Sequence, residues 1–395
     1  MKRESNRFSR FGSTLGLTNR DLRLIFACNL VGSFGDGLYA YLLPTYMTET
    51  LGASSVEVGI LYAVMSLFAA STLFLAGTLA DKYDRKKIMI AGWVAWLPAP
   101  LIFAGATNWL QMLPGRVMWG FWLGGPTNTA YIVAVADRRK LTLTFTSISA
   151  AWSLGYIFSP AVGGYLSGIV GMRNVFLLAF ALYGVACIFL AFVKSQRATA
   201  SLQQPAQKYS FFQLLRNRRL AKLSILFASI MFVLLLFRSF VPTFLVDVYH
   251  YGNAEIGLLG SITFASSAVL GILLGRLGDK RGKSYAIAAS MLICSVALTM
   301  LLLTGNFYLS IFTFFMFGGS YLTWSLLSAT VGPLAPDSHS ARWISVPQTI
   351  SMFSSIVAPY LGGVLYAASP ALPFMVAAVA TAILALIALT KVFEK

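Results

Sequence analysis

The chain has 395 residues, of which 57% are hydrophobic and 11% are charged, and its formal net charge is +17. Soluble domains carry roughly 25% charged residues and cannot hide this much apolar surface from water. The composition therefore excludes a soluble enzyme, a disordered chain and a nucleic-acid-binding domain. It indicates an all-α integral membrane protein.

Twelve apolar runs follow one another along the chain, each close to the length of about 20 residues that crosses a bilayer as a helix. Membrane strands would need alternating polar and apolar residues over about ten positions, and these runs do not alternate. The sequence therefore predicts twelve transmembrane helices. Their approximate bounds are 22–48, 55–80, 88–107, 110–136, 142–168, 173–193, 220–247, 255–277, 284–304, 307–333, 343–367 and 371–391.

The lysines and arginines fall on alternate connections between the runs. With the N-terminus inside the cell, 27 of the 30 lie on inner segments, and Arg173 alone lies on an outer loop. Inner loops of membrane proteins retain positive charge. Both termini are therefore expected in the cytoplasm of a multi-pass protein of the cell membrane, and the net charge needs no nucleic acid.

The two halves of the chain repeat one another at an offset of 198 or 199 residues. The matching pairs are Gly77 with Gly275, Asp81 with Asp279, Pro160 with Pro359, Gly163 with Gly362 and Gly164 with Gly363. Both halves begin on the inner side, which predicts two parallel six-helix repeats, a scheme that secondary transporters use. The predicted division is a first bundle at 1–193, a basic cytoplasmic linker at 194–219 and a second bundle at 220–395.

Two inner loops carry the same short pattern of glycine, acid and basic residues. The first reads GTLADKYDRKKIM from Gly77, and the second reads GRLGDKRGKSYA from Gly275. Glycine permits close helix approach, and Asp81 can accept from the N–H groups of a nearby helix N-terminus. Arg85 is expected to pair with an acid at the inner end of another helix, with Asp137 best placed. Such contacts would form a gating loop on the inner side.

These loops resemble the signature loop of the major facilitator superfamily, and the resemblance covers the whole chain. Helix 4 holds RVMWGFWLGG, similar to a motif of proton-coupled members, with Arg116, Gly120 and Gly124 on one face. Helix 5 holds GYIFSPAVGG, similar to a motif of antiporters in the same superfamily. Its predicted functional residues are Gly155, Pro160, Gly163 and Gly164. The chain departs from the patterns at Asp84, Trp119 and Ser159.

Three ionisable residues fall well inside predicted spans: Asp36, Arg116 and Arg238. A charge at the bilayer centre costs about 2.5–3.5 kcal/mol even on insertion scales, so such residues are functional candidates. Burial favours the protonated carboxyl and a neighbouring arginine favours the ionised one. All three are predicted to take part in proton coupling. Asp36–Arg238 and Asp36–Arg116 are rival pairings, and a static buried ion pair is a third interpretation.

Aromatic residues of the spans supply the candidate substrate contacts. Tyr39 shares a helix face with Asp36, and the resemblance places Trp152 and Trp324 in helices that line a central cavity. With Asp36 and Arg238 they form the predicted substrate-binding set. An aromatic, weakly charged cavity suits lipophilic or cationic compounds.

The predicted function is proton-coupled antiport of small lipophilic or amphipathic compounds, by two six-helix bundles that rock about a central site. The first alternative is uniport or proton symport of an organic anion, a sugar or a lysolipid, with Arg238 as the anchor. A non-transporting membrane receptor is an alternative of another class. The expected partners are the substrate, protons and the lipid bilayer, with a monomer as the working unit. The sequence offers no phosphate loop, no cofactor motif and no metal cluster, so neither an ATP-driven pump nor an enzyme is predicted.

Overall fold

A computed structural model describes residues 15–121, 123–197, 216–331 and 340–390. The regular elements of these residues are helical, as the apolar runs predict. The helices of the first half are α1 (Arg20–Ala40), α2 (Ser55–Lys82), α3 (Arg85–Trp96), α4 (Pro98–Gly105), α5 (Leu113–Trp119), α6 (Gly124–Val135), α7 (Leu141–Val170) and α8 (Met172–Ala191). Those of the second half are α9 (Arg218–Arg238), α10 (Val241–Tyr249), α11 (Asn253–Arg281), α12 (Lys283–Leu303), α13 (Phe307–Phe317), α14 (Thr323–Val331), α15 (Ser340–Ala368) and α16 (Leu372–Leu389).

Among the described residues, eight helical segments are long and apolar enough to cross a membrane, and nine if the bent pair α13 and α14 forms one span. They coincide with nine of the predicted runs. Helices also occupy the other three runs, at 22–48, 110–136 and 142–168. The predicted all-helical membrane fold is confirmed, and the helix count is consistent with twelve spans.

Several spans are broken where the sequence predicts one continuous helix. The third breaks before Pro98, and the seventh breaks between Arg238 and Val241, just before Pro242. Proline lacks an N–H and clashes with the preceding turn, which explains both positions. The fourth span breaks between Trp119 and Gly124. This corrects the prediction that Arg116, Gly120 and Gly124 share one helical face, because α5 ends at Trp119 and Gly124 begins the separate helix α6.

Glycines set the closest helix contacts in each half. A Cβ added to Gly163 on α7 would overlap the Leu38 carbonyl oxygen on α1. A Cβ added to Gly362 on α15 would overlap the Leu236 carbonyl oxygen on α9. Small residues let membrane helices approach until their backbones touch. The predicted helix-5 motif and its second copy therefore perform the same packing role.

Contacts between Cα atoms divide the chain into two compact units. The first contains residues 1–43 and 68–203, and the second contains 44–67 and 204–395. The boundary at 203 falls inside the predicted linker. Residues 44–67 belong with the second unit, where the Ser55 hydroxyl donates to the Gly363 carbonyl oxygen at 2.9 Å. The second unit thus includes residues 44–67, which the predicted division places in the first bundle.

Candidate functional site

Asp36 lies inside the first unit with three tyrosines around its carboxylate. It is 3% exposed on α1. Tyr183 of α8 donates a hydrogen bond to Oδ1 at 2.7 Å, and Tyr156 of α7 donates a short one to Oδ2. The Tyr39 and Tyr183 hydroxyl oxygens are 3.0 Å apart. Since the Tyr183 proton points at Asp36, Tyr39 donates to Tyr183.

Close packing of α1 on α7 puts these groups together. A Cβ on Gly155 would overlap the Ser33 hydroxyl, and a Cβ on Gly37 would overlap the Ser159 hydroxyl. Tyr156 follows Gly155 directly and therefore meets α1 at the level of Asp36. Pro160 stands inside α7 without ending it. Gly164 is buried, and its carbonyl oxygen accepts from the Ser167 hydroxyl at 2.8 Å. The glycines of the motif thus place the Tyr156 hydroxyl on the carboxylate.

Tyr39 is predicted as a substrate contact, and the structure places it deeper. It is fully buried, and its ring packs at centroid distances of 5.4 Å from Phe176 and 6.0 Å from Phe103. Its hydroxyl serves Tyr183 rather than an open surface. Tyr39 therefore positions the group that holds Asp36.

Arg116 lies near the same cluster at the end of α5. It is fully buried, and its guanidinium carbon lies 5.0 Å from the centroid of the Trp119 ring. Trp119 in turn lies 6.1 Å from the Tyr39 ring. The carboxylate oxygens of Asp36 accept from tyrosine hydroxyls, where the sequence predicts an arginine. Arg116 therefore faces the cluster across aromatic rings.

An aromatic cavity of about 280 Å³ opens within the first unit. Trp93, Trp96 and Trp152 line it, and Asn29 and Asn128 supply amides. No Asp, Glu, Lys or Arg lines it in the described part of the chain. The Trp152 ring lies 5.9 Å from the ring of Tyr156, which binds Asp36. The cavity and the buried carboxylate are thus joined by two adjacent aromatic side chains of α7.

The break in the fourth span forms one wall of this cavity. The Trp96 indole donates to the Phe121 carbonyl oxygen at 2.8 Å, and the Thr72 hydroxyl donates to that of Gly120 at 3.1 Å. Carbonyl groups at the end of a helix have no intrahelical hydrogen-bond donor. The Trp96 and Thr72 side chains supply the missing donors here. Gly124, the first residue of α6, also lines the cavity.

Arg238 lies in the second unit, at the break between α9 and α10. Its Nη2 donates to the Ser320 carbonyl oxygen at 2.5 Å and to the Ser320 hydroxyl at 3.1 Å. The guanidinium carbon lies 4.1 Å from the Tyr321 ring centroid. The Nε is buried and has no hydrogen-bond partner among the described residues. Ser320 and Tyr321 thus hold the Arg238 guanidinium, and its Nε–H is available to donate to another acceptor.

The first inner loop docks on the end of α8. The Asp84 carboxylate caps α3 by accepting from Lys86 N at 2.9 Å, and it also accepts from Gln196 N at 3.2 Å and from the Ser195 hydroxyl. Burial raises the pKa of a carboxyl, but these hydrogen bonds outweigh it and lower the pKa of Asp84 below its usual range. Asp84, where the sequence departs from the family pattern, thus serves as the N-cap of α3.

Arg85 and Asp137 have other partners than the sequence predicts. Arg85 Nη1 donates to the Gln196 side-chain oxygen at 3.0 Å and to the Ala130 carbonyl oxygen at 3.2 Å. The Asp137 carboxylate accepts from Arg139 N at 3.0 Å. Among these contacts, a carbonyl oxygen inside α6 and the side-chain oxygen of Gln196, beyond α8, accept from the Arg85 guanidinium.

In the second inner loop, Asp279 pairs with Lys283 at 2.5 Å on an exposed surface. Gly275 has open space where a Cβ would stand, so close packing does not require a glycine there, contrary to the expectation. Gly77 lies in α2, at the position equivalent to Gly275. The side chains of Asp81 and Trp324 lie outside the described part of the structure.

The sequence reasoning missed Tyr156, Tyr183 and the cavity amides. For the proton site it considered only ionisable residues inside the spans. A tyrosine hydroxyl buried in an apolar helix also needs a hydrogen-bond partner, and polar amides inside a membrane segment face the interior of a bundle. These signals were present in runs 22–48, 110–136, 142–168 and 173–193.

Comparisons with known proteins agree with the membrane-transporter fold described above. The sequence profile of the Major Facilitator Superfamily matches residues 25–318 and 248–395. The chain belongs to this superfamily. It is therefore a multi-pass membrane transporter for small molecules and not an enzyme.

Two relatives match most of this transporter along its length. It is 24% identical to Multidrug resistance protein 2 of Bacillus subtilis over 372 residues, 90% of this chain and 91% of the relative. It is 25% identical over 370 residues to the multi-drug resistance efflux pump PmrA of Streptococcus pneumoniae, with 87% and 88% of the chains covered. The crystal structure of the nucleoside transporter NupG superposes with a TM-score of 0.79 at 17% identity over 95% of this chain and all of that one. That likeness shows the fold alone.

Proposed function

We propose that this transporter exports small lipophilic or amphipathic compounds in exchange for protons, with Asp36 as the proton-binding group. The observation that carries the proposal is a buried carboxylate, held by tyrosine hydroxyls, beside an uncharged aromatic cavity. The efflux pumps among its relatives favour the same substrate class. We further propose that the protein lies in the cell membrane, has both termini in the cytoplasm and works as a monomer.

Proton binding at Asp36 would change what holds α1 to α7. Each carboxylate oxygen accepts a tyrosine proton, whereas a protonated Asp36 also carries an O–H that needs an acceptor. A tyrosine oxygen of the cluster supplies that acceptor when the tyrosine turns its own proton away. Tyr39 and Tyr183 are fully buried, whereas Tyr156 is half-buried and stacks beside the cavity wall. Tyr156 is therefore the partner that yields, and its movement reaches Trp152.

Competition between substrate and proton then follows from the coupling between the two sites. A substrate in the cavity presses on Trp152, and a proton on Asp36 displaces Tyr156 from the same wall. Two ligands that favour different arrangements of one element exclude each other by a coupling free energy, typically about 1–3 kcal/mol. Exchange of substrate for proton is the outcome of such a coupling.

The test is proton release from purified protein in weakly buffered detergent. Neutral lipophilic compounds, lipophilic cations, anions and sugars are added in turn to the wild type and to Asp36→Asn. Asp247→Asn is the matched control, because Asp247 is engaged by the Tyr366 hydroxyl at 2.7 Å and lies at the outer end of α10. We expect release by a lipophilic compound in the wild type and in the control, and none in Asp36→Asn. Equal binding to all three proteins without release would overturn the proposal.

Arg238 supports a second candidate, transport of an organic anion. Its buried Nε lacks a partner among the described residues, while Ser320 and Tyr321 fix the rest of the guanidinium. Arginine donors pair readily with carboxylate and phosphate oxygens. Arg238→Gln would then abolish the binding of an anionic probe such as 2-naphthoate. Unchanged binding of that anion by Arg238→Gln would remove this candidate.

A further inference from the structure

The cavity of the first unit has a chemistry that narrows the choice of ligand. Its volume of about 280 Å³ is roughly twice that of a cavity of ~150 Å³, which takes a benzene ring. Indole rings of Trp93, Trp96 and Trp152 line it, and they favour flat aromatic partners that stack or meet them edge to face. A ligand of about two fused rings fits this space.

Charge is disfavoured in the cavity. In the described part of the chain no ionised side chain lines it, and its polar surface comes from amides and hydroxyls such as Asn29, Asn128 and Ser149. A charged ligand would lose its hydration and gain no opposite charge, which costs several kcal/mol. The cavity therefore selects compounds that are neutral when they bind.

Asn128 supplies the directional contact. Its Oδ1 is buried and has no hydrogen-bond partner among the described residues. A buried acceptor without a donor costs about 1–3 kcal/mol. Asn128 also lines the cavity, and a turn of its side-chain amide would bring this buried oxygen to the cavity surface, where a ligand N–H or O–H would satisfy it. Thr129, the next residue, differs because its hydroxyl already donates to the Gly125 carbonyl oxygen at 3.2 Å.

We propose that this cavity binds neutral bicyclic aromatic compounds that carry a hydrogen-bond donor, and that Asn128 reads the donor. The inference deepens the proposed function and rests on it for the link to transport. It assigns the binding contacts to α1, α3, α6 and α7 of the first unit. It also makes Asn128 a residue that determines specificity.

Four related probes test the chemistry by equilibrium dialysis with the purified full chain. They are 2-quinolone, which is neutral with one N–H, N-methyl-2-quinolone, which lacks it, the anion 2-naphthoate and the cation N-methylquinolinium. We expect 2-quinolone to bind the wild type about tenfold more tightly than its N-methyl analogue, the size of one hydrogen bond. Equal affinity for the two quinolones, or displacement of bound 2-quinolone by either ion at a lower concentration than by 2-quinolone itself, would overturn the proposal.

Two neighbouring variants locate the contact. Asn128→Leu should lose the discrimination between the quinolones, with 2-quinolone binding about tenfold more weakly and the N-methyl analogue unchanged. Thr129→Val should keep the full discrimination, since its hydroxyl is already used by Gly125. Discrimination that survives in Asn128→Leu would refute the assignment. If Asn128→Leu does not fold, the comparison of the two quinolones in the wild type still decides the ligand chemistry.

Proton release measured in the same samples separates this inference from the proposed function. Binding that depends on Asn128 without proton release would support the cavity and remove proton exchange. Proton release by 2-quinolone and by its N-methyl analogue alike, unaffected by Asn128→Leu, would keep proton exchange and remove the role of Asn128.

Discussion

Phe121 and Gly319 stand 198 residues apart, at equivalent positions of the repeat, and both place a carbonyl oxygen at a helix break. The Trp96 indole satisfies the first at 2.8 Å, and the Ser290 hydroxyl satisfies the second at 2.8 Å. Both halves therefore have the helix break and a side-chain donor to its carbonyl oxygen, but the donor is a large indole in the first half and a small hydroxyl in the second. In the first unit the large indole also becomes a cavity wall.

The same contrast holds for the buried charges. In the sequence alignment of the two halves, Arg238 on α9 corresponds to Ala40, one helical turn from Asp36 on α1. Tyrosine hydroxyls surround the acid, and a carbonyl oxygen and a tyrosine ring hold the base. Shared backbone packing with different side chains thus gives one unit a buried carboxylate and the other a buried guanidinium.

The largest expected loss of stability comes from filling the close glycine contacts that both halves share. Gly163→Val and Gly362→Val each force a side chain against a carbonyl oxygen of the neighbouring helix. Each should cost about 3 kcal/mol or more, since the backbone cannot move aside as a side chain can. The measurement is the thermal midpoint of the purified protein in detergent.

Gly184→Val is the matched control, because the structure gives it open space on α8. It should melt close to the wild type. A Gly362 variant that melts like the control would show that the second unit does not share the close approach of the first.

The fold was predictable because bilayer thickness and loop charge leave strong marks in sequence. Apolar runs located the spans, and the constant offset showed the duplication. The breaks were harder to predict. Pro98 and Pro242 are visible signals, but the break after Trp119 depends on Trp96 and Thr72, which donate from other helices. Tertiary partners of this kind have no local sequence signature.

The site was predictable in part. An acid inside a span identifies Asp36, and its neighbours were expected to be arginines because opposite charges attract. The structure instead uses tyrosines, which donate hydrogen bonds to the acid and bring aromatic rings to the packing. Whether an arginine or a tyrosine reaches the carboxylate depends on the rotation of the helices and on the Gly155 contact. Neither of these can be predicted from a single sequence.

The next effect separates the tyrosines around Asp36. Tyr183→Phe removes a donor to a charged group and the hydroxyl that pairs with the buried Tyr39 hydroxyl, which should cost about 2–3 kcal/mol. Tyr156→Phe removes a donor from a half-buried position and should cost about 1 kcal/mol. Thermal melting would rank them.

Substrate-induced proton release should show the reverse order. Tyr156→Phe lacks the hydroxyl that links Asp36 to the cavity wall, so its release should fall more than that of folded Tyr183→Phe. Equal loss in both variants would indicate that the cluster acts as one rigid unit.

A smaller effect compares the two break carbonyls. Ser290→Ala removes one hydrogen bond between helices, which averages about 0.6 kcal/mol in membrane proteins. Trp96→Phe removes a similar bond and part of a cavity wall, so it should cost more and also alter aromatic binding. Dialysis with 2-quinolone should detect a change for Trp96→Phe alone. A binding change in Ser290→Ala would mean that the two breaks communicate.

The smallest effect concerns the inner loops, where Asp84 and Gly282 are equivalent positions. Asp84 is a helix cap with an ordinary negative φ of −63°, whereas Gly282 has φ 109°, a conformation that favours glycine. Only the first loop can therefore carry a pH-dependent cap. The pKa of Asp84 is lowered, so its ionised form stabilises the folded state.

That stabilisation is complete above the ordinary carboxyl value of about 4 and is lost as the pH falls through the lower value in the folded protein. At pH 7, Asp84→Asn should melt below the wild type, because it keeps the cap but loses the charge-assisted bonds to Ser195 and Gln196. The gap between the two proteins should narrow as the pH falls below about 4, since protonation of Asp84 imitates the amide. A gap in melting temperature that persists unchanged at pH 3 would show that the shape of the cap matters and its charge does not.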